Sequence, residues 1–462
     1  MKMVKSLLLG TAAGLVAMSG AQAADLPVKA KPVQYVKICS LYGAGFYYIP
    51  GTDTCIKIGG YVRAEIVFNG AGSHNPYRAQ NFDTPARDRQ LMRARGMISA
   101  DVRSQTEYGT LRSYILLGHN ADNGLGSATT PTSFYGQNAF IQFAGFTAGQ
   151  TISFFTFDTN PYANYTPYTS SDNGGTATNL FAYTAQLGNG LSASISAEDP
   201  TGRRTLITNA GQAVAATAAA YGGRRWTDLV GNVRVDQAWG SAQIMGAVHD
   251  VYGTNLLLTP TTASATGYAL GAGLKVNLPM LGKGDYIQGQ FTYAKGATRY
   301  LMVNSGAGGP AFALSSGFPA GGVPTNTALG YVTDAVFTGA AGTTAMDLTT
   351  GWNISGGYEH NWVPGWKTSI FGNYGKLDYS TAASLAVAAA NGAGTAGSAS
   401  WSTYQIGSRT VWTPVTNLDL SVEVVYSKVN TGFEGSTSAT LGTYQDKGFW
   451  SGVFRAQRNF YN

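Results

Sequence analysis

The chain has 462 residues, of which 44% are hydrophobic, 12% charged and 12% aromatic, so its composition matches neither a disordered chain nor a helical membrane protein. The net charge of +6 is too small to indicate nucleic-acid binding, and the basic residues form no stripe with interleaved aromatics. The 61 glycines disfavour long helices, because an interior glycine costs about 1 kcal/mol relative to alanine. We therefore predict a structure of strands and turns.

The first 23 residues have the pattern of a cleaved secretory signal. Lys2 and Lys5 precede an apolar stretch at residues 7–18, and Ala21 and Ala23 fit the small-x-small cleavage rule. The alternative is a membrane anchor. It is disfavoured because the apolar stretch has about a dozen residues, whereas a spanning helix needs about 20.

Export would bring the two cysteines, Cys39 and Cys55, into an oxidising space, where an even number of cysteines usually forms a bridge. We predict one disulfide, which on the chain-entropy model stabilises the fold by about 3 kcal/mol. The alternatives are two reactive thiols or half of a metal site. The sequence has no CxxC spacing and its four histidines are scattered, so we predict no metal or cofactor.

Eight segments have the period-two alternation of a strand with one apolar and one polar face, and eight more are strand candidates with a more ambiguous pattern, which makes sixteen. In residues 418–428, for example, Leu420 and Val422 alternate with Asp419 and Glu423. The predicted strands are residues 56–68, 92–102, 111–118, 137–143, 149–155, 180–187, 191–198, 230–238, 242–248, 268–278, 287–293, 352–359, 367–379, 401–412, 418–428 and 450–460.

Short and long connections alternate strictly between these strands, with seven short turns and eight long loops. A soluble sandwich gives no reason for this alternation. An outer-membrane barrel does, since its strands are apolar toward lipid and polar toward the lumen, with short periplasmic turns and long external loops. We therefore predict an all-β fold, a 16-stranded antiparallel transmembrane barrel. A barrel of this width encloses a water-filled channel unless something plugs it.

Three segments resemble the alphaproteobacterial general porin family. They are CSLYGAGFYYIPGTDTCIKIGGYVRAE at residues 39–65, AFIQFAGFTAGQTISFF at residues 139–155 and RAQRNF at residues 455–460. The resemblance implies a homotrimer in outer-membrane lipid that lets small hydrophilic solutes and ions diffuse passively. It also implies that the third long loop, residues 156–179, folds inward to narrow the pore. We expect three parts: a signal at residues 1–23, a periplasmic-side segment with the disulfide loop at 24–53, and the barrel at 54–462.

Basic side chains are concentrated on one face of the first two predicted strands. A guanidinium stays charged at every relevant pH, so this cluster would set a permanent positive field if it faced the lumen. For any single arginine, the alternative of an ordinary solvated strand face stays open. The basic residues, with one on the third strand, are Lys57, Arg63, Arg89, Arg93, Arg95, Arg103 and Arg112, against the acidic Glu65 and Asp101.

The inward third loop would supply the opposing charge through Asp158 and Asp172, and a transverse arrangement of charge tunes the selectivity of a pore. The predicted pore-lining and constriction residues are Lys57, Arg63, Glu65, Arg89, Arg93, Arg95, Asp101, Arg103, Asp158 and Asp172.

Other functions are weaker or remain open. No motif pairs a nucleophile with a base, so we do not predict an enzyme. The tryptophans near the predicted strand ends are typical of interfacial girdles, with a sugar-stacking track as the alternative. A substrate-specific channel and a structural or adhesive barrel remain alternatives to a general pore, and conductance would separate them.

Overall fold

The computed structural model describes residues 37–69, 90–122, 132–157, 177–209, 221–255, 261–302, 309–316, 324–338, 345–391, 397–439 and 441–460. The predicted signal segment, Arg89, Asp158, Asp172 and most of the third long loop lie outside these residues.

Sixteen antiparallel strands form one closed sheet. Each strand pairs with the next, and the last pairs with the first from Gly60↔Phe460 to Phe68↔Gly452, which closes the barrel. All sixteen predicted strands, and the predicted fold class, are confirmed. The strands are β1 (Cys55–Phe68), β2 (Gln90–Thr106), β3 (Gly109–Asp122), β4 (Thr132–Phe143), β5 (Phe146–Ile152), β6 (Ala177–Gly188), β7 (Leu191–Glu198), β8 (Asp228–Gln237), β9 (Gly240–Asn255), β10 (Thr261–Asn277), β11 (Tyr286–Lys295), β12 (Thr350–Val363), β13 (Trp366–Asp378), β14 (Trp401–Val415), β15 (Leu418–Asn430) and β16 (Lys447–Phe460).

The two faces of the barrel differ as the alternation predicts. On β1 the apolar Val62 is 59% exposed on the outside, whereas Glu65 is 4% exposed on the inner face. On β15 Val422 and Val424 face outward and Glu423 between them is fully buried. Apolar side chains therefore cover the outside of the barrel and polar side chains line its interior.

Six of the seven short turns have two residues between their strands. In the turn between β6 and β7, Asn189 and Gly190 both have positive φ angles, 50° and 74°, which is the geometry of a tight hairpin. The longest short turn, residues 278–285, ends at the buried Asp285. Burial opposes ionisation of this carboxyl, but hydrogen bonds from the Asn361 backbone N–H and the Tyr358 hydroxyl hold its pKa well below its usual range.

The N-terminal segment is attached to β1 at the short-turn end. The predicted disulfide between Cys39 and Cys55 is present, with a Cα–Cα distance of 6.1 Å. A two-residue strand, Tyr47–Tyr48, pairs with the start of β1. The guanidinium of Arg103 on β2 lies 4.9 Å from the centre of the Phe46 ring. The segment thus packs against the inner side of the wall; its boundaries as a separate part stay a prediction.

Three of the long loops contribute strands to a second sheet that the sequence did not predict. Its six strands are Leu206–Asn209, Gly309–Ser316, Asn326–Phe337, Met346–Leu348, Thr437–Ser438 and Gly442–Tyr444, and a helix, α1 (Thr381–Asn391), packs beside it. We call these segments the cap. Asn326–Phe337 is the central strand and is buried along nearly its whole length. Within the described ranges, no helix is long and apolar enough to cross a bilayer.

Candidate functional site

The barrel strands bring most of the predicted charged residues together on one inner wall. Neighbouring strands pair Arg63 with Arg95, Glu65 with Arg93, and Lys57 with Asp101. Arg103 of β2 continues the same face and lies opposite Arg112 of β3. These seven predicted residues that the structure describes, together with Arg112, share the inner face of β1, β2 and β3, which we call the basic wall.

Two acids neutralise part of this wall. Glu65 lies between two arginines, with Oε2 2.9 Å from Nη2 of Arg455 and Oε1 3.5 Å from Nη1 of Arg93. The Nε of Arg93 also lies 2.7 Å from Oδ1 of Asp122. These four side chains carry two positive and two negative charges, so they add no net charge to the wall.

The sequence count of charges on this face was wrong in two places. Asp122 at the end of β3 was missed because the third strand was predicted to end at residue 118. Arg455 was missed because β16 closes the barrel beside β1, so a residue from the far end of the chain contributes to the first wall. Its parity in the predicted last strand is the signal that could have identified it.

A second charged group lies nearer the short turns. Asp101 Oδ2 is 2.7 Å from Nη2 of Arg103 and 3.0 Å from Nη2 of Arg112. Arg112 also donates from Nη1 to Oε1 of Gln142, 2.9 Å away. This group of two arginines and one carboxylate keeps one net positive charge.

Arg63 and Arg95 differ from the other arginines because neutral amides hold them. The Nε of Arg63 donates to Oε1 of Gln457 at 2.8 Å, and the Nε of Arg95 donates to Oδ1 of Asn120 at 2.7 Å. The Gln457 amide is itself oriented by its hydrogen bond to Asn459, 2.7 Å long. In the described part of the chain no carboxylate lies within ion-pair distance of either guanidinium. Within the described residues, two adjacent positive charges on the wall are therefore left without a paired carboxylate.

The chain leaves the wall directly after β5. Residues 149–155 were predicted as a strand, but β5 ends at Ile152 and the next residues turn inward because lumen side chains bind their backbone. Glu198 accepts from the Phe154 N–H at 2.9 Å, and Asn232 donates to the Phe154 carbonyl at 2.6 Å. Arg234 donates to the Phe157 carbonyl at 2.7 Å.

Aromatic packing holds this inward segment from the other side. The ring of Phe155 lies 4.8 Å from that of Tyr300. Phe157 is 4% exposed and occupies the space beside Gly273 on β10, where any Cβ would overlap its ring. The first residues of the third loop thus cross toward the wall formed by β7 to β10. Asp158 and Asp172 follow outside the described residues, so the predicted acidic side of the constriction stays a prediction.

Comparison with known proteins identifies the family. The model of a porin subfamily matches residues 25–453, which is most of the chain. The chain belongs to this porin subfamily. The relatives include porins of Brucella, an alphaproteobacterium, which confirms the resemblance found in the sequence, and the predicted bacterial outer-membrane location is confirmed.

The similarity to two Brucella porins covers about half of this chain. The porin Omp2b of Brucella suis is 34% identical over 259 residues, covering 52% of this chain and 64% of the relative. The porin Omp2a of Brucella ovis is 38% identical over 222 residues, covering 42% of this chain and 59% of the relative. The aligned part spans less than two thirds of either relative.

A solved structure with the same fold is the outer-membrane channel DcaP of Acinetobacter baumannii, with a TM-score of 0.60 and 16% identity. The match covers 89% of this porin and 99% of DcaP. At this identity the similarity concerns the barrel fold alone.

A buried polar network attaches the cap of the porin to its barrel. Asp334 of the central cap strand is fully buried and accepts from the backbone N–H groups of Thr205 and Thr298, at 2.8 and 2.7 Å. It also accepts from the Tyr221 hydroxyl at 2.8 Å. Burial, with the neighbouring Asp334 carboxylate, raises the pKa of Tyr221 well above its ordinary value, so this hydroxyl remains a donor.

The network continues into the barrel wall. The Tyr221 hydroxyl lies 3.2 Å from Nε2 of His249 on β9, and His249 Nδ1 lies 2.7 Å from Oδ1 of Asp228 on β8. Tyr300 donates to the other Asp228 oxygen at 2.8 Å. No sequence pattern assigns His249 a role or connects these residues, because they come from two loops and two strands.

Proposed function

We propose that this porin forms a water-filled channel for the passive diffusion of small hydrophilic solutes and ions across the outer membrane. The observation that carries the proposal is the closed sixteen-strand sheet whose inner face bears charged and amide side chains. A barrel of this size is too wide to be filled by its own strand side chains. The cap covers part of the long-loop end, so we propose that it restricts entry to small solutes.

The basic wall would set the ionic preference of the channel. Arg63 and Arg95 add two positive charges that no carboxylate of the described residues pairs with, and the group around Asp101 adds one. We propose that ions pass along this wall, between it and the inward third loop. The proposed pore-lining set is Lys57, Arg63, Glu65, Arg89, Arg93, Arg95, Asp101, Arg103, Asp158 and Asp172.

Single-channel recording of the purified protein in a planar bilayer tests the function. A general pore gives stepwise conductance that rises with salt concentration. A substrate-specific channel would also show saturable block by one solute. A structural or adhesive barrel would give no conductance steps at all, and that result would contradict the proposal.

We also propose that the porin is a homotrimer whose subunits meet on the outer face of β1, β2, β3 and β16. Ala64 lies opposite both Ala94 and Ala456, and Ala94 lies opposite Ala121, so four small side chains cross four strands in one row. They line a shallow, mainly apolar groove of about 860 Å³. Such a surface allows the close approach of another apolar surface.

The test compares bulky substitutions in the row with one outside it. Unheated wild type and Ala272→Trp, an outward alanine on β10, should migrate in detergent gels as a species of about three chains, because a closed barrel has no edge strand to fray. Ala64→Trp/Ala94→Trp should migrate as a folded monomer. A wild type that is monomeric before heating would contradict the trimer, and an unaffected double variant would contradict this interface.

A further inference from the structure

A Tyr-x-Lys pattern occurs at the long-loop end of three alternate strands. It comprises Tyr293 and Lys295 on β11, Tyr374 and Lys376 on β13, and Tyr426 and Lys428 on β15. All three strands run from a short turn toward a long loop, so the lysine is the last outward residue or nearly so in each case. We call Lys295, Lys376 and Lys428 the lysine row.

The lysine row is on the outside of the barrel. Because side chains alternate along a strand, Lys295 has the same direction as Phe291, and Lys376 the same direction as Ile370. Phe291 and Ile370 are 43% and 59% exposed on the apolar outer surface. Val424, also exposed on that surface, defines the direction of Lys428 in the same way.

The strand register brings the three lysines to a similar height. Lys428 lies opposite Tyr404, which lies opposite Tyr374, two residues before Lys376. Lys376 in turn lies opposite Trp352, which lies opposite Tyr293, two residues before Lys295. The register therefore shifts by two residues over every two strands. Because the strands of a barrel are tilted against its axis, this shift brings the lysines to the same height, about 10 Å apart.

An aromatic belt lies directly below the lysine row. The rings of Trp352 and Tyr374 are 5.2 Å apart, and those of Tyr404 and Tyr426 are 6.1 Å apart. Trp450 continues the belt 5.2 Å from Tyr426. Aromatic belts mark the headgroup level of a membrane, so the ammonium groups stand where lipid headgroups are.

The ammonium groups retain capacity to bind an anion. Lys376 lies 2.7 Å from Asp378 and Lys428 lies 3.1 Å from Asp446, but both pairs are open to solvent, where an ion pair contributes little. Each ammonium has three donors, of which a carboxylate uses one. In the described part of the chain, Lys295 has no carboxylate within ion-pair distance.

We propose that the lysine row binds the phosphate groups of anionic lipids in the outer leaflet, with their acyl chains against the aromatic belt. This inference rests on the outer-membrane location of the porin and is independent of what the pore conducts. A basic residue near an anionic surface strengthens binding about fivefold, so the whole row should strengthen it by at least about tenfold after allowance for the two nearby aspartates. Lys295 should carry the largest single share.

The experiment measures how much phosphatidylglycerol the purified porin retains, by native mass spectrometry, from nanodiscs of phosphatidylcholine with and without phosphatidylglycerol. The test variant is Lys295→Gln/Lys376→Gln/Lys428→Gln, and the same three positions changed to arginine keep the charge. A matched control, Lys37→Gln/Lys275→Gln/Lys283→Gln, removes the same charge at the short-turn end. Lys295→Gln alone provides a minimal change should the triple variant fail to fold.

We expect the glutamine variant of the row to lose its preference for phosphatidylglycerol, and the arginine variant and the control to retain it. Equal loss in the control would mean that net charge alone attracts the lipid, and would overturn the site. Unchanged retention in the row variant or in Lys295→Gln would overturn it as well. Conductance of the same samples separates this outcome from a failure of the proposed channel function.

Discussion

The two amide-held arginines give the sharpest test of how the wall acts. Replacing Arg63 and Arg95 by glutamine removes two charges that no carboxylate in the described residues balances. Anion passage should therefore become weaker relative to cation passage, whatever the starting preference. Arg93, by contrast, is tied to Glu65 and Asp122.

The size of the effect follows from Coulomb's law. An ion passing about 5 Å from one guanidinium interacts with it by about 0.8 kcal/mol at the dielectric constant of water. Screening at 0.1 M salt, where the Debye length is about 10 Å, leaves about 1 kcal/mol for the two charges together. That energy changes the local concentration of a monovalent ion about fivefold, in opposite senses for anions and cations. At 1 M salt, with a Debye length of about 3 Å, the interaction falls to about a third.

The assay is the zero-current potential across a bilayer that separates two salt concentrations. The matched control is Glu65→Gln/Arg93→Gln, which also changes two residues of the wall but leaves its net charge unaltered. We expect the arginine pair variant to shift the potential toward cation preference, most strongly in dilute salt, and the control to shift it little. If the pair variant retains the wild-type potential in dilute salt, the two arginines do not line the conducting path and the reasoning is refuted.

Three further predictions concern the parts around the pore. Cys39→Ser should lower the free energy of unfolding by about 3 kcal/mol, with little change in conductance. Gel mobility measured against temperature should show that the folded barrel is lost at a lower temperature. Gly273→Val should displace the Phe157 ring and with it the start of the third loop, so single-channel conductance should change while heat resistance of the barrel stays close to wild type; an unaltered conductance would mean that this segment does not define the pore. Asp334→Asn gives the buried backbone N–H groups of Thr205 and Thr298 a weaker acceptor, which costs about 1–3 kcal/mol. The cap should therefore be cleaved by added protease before the barrel unfolds.

The barrel could be predicted from the sequence because the alternation that identifies each strand is a local pattern. A strand that faces lipid on one side and water on the other must alternate, and each strand carries that signal alone, as Val422, Glu423 and Val424 illustrate. The alternation of turn lengths then specifies the order of neighbours. The wall also followed from parity, since Arg63 and Arg95 lie on the same face of adjacent strands.

The cap could not be predicted in this way, because its pairings join loops that are far apart in the chain. Asn326–Phe337 pairs in parallel with Leu206–Asn209 and with Gly442–Tyr444. Its residues are buried on all sides, so no alternation distinguishes one face from another. The compensation of Arg93 by Asp122 was missed for a related reason: a strand end is set by tertiary contacts and not by the pattern that identifies the strand.

The position of the third loop also supports the proposal that the arginines of the first strands dominate ion passage. The start of the third loop packs toward β7 to β10, through Phe157 against Gly273. The central cap strand reaches the long-loop ends of β9 and β14, where Phe337 meets Gly253 and Gly330 meets Trp401. The start of the third loop therefore fills lumen space opposite β1 to β3, whereas the central cap strand crosses the long-loop end of the barrel from β9 to β14. On the proposed pore lining, ions that avoid the space filled by the third loop would pass close to the basic wall, where short distances make the charge of each guanidinium effective even in water.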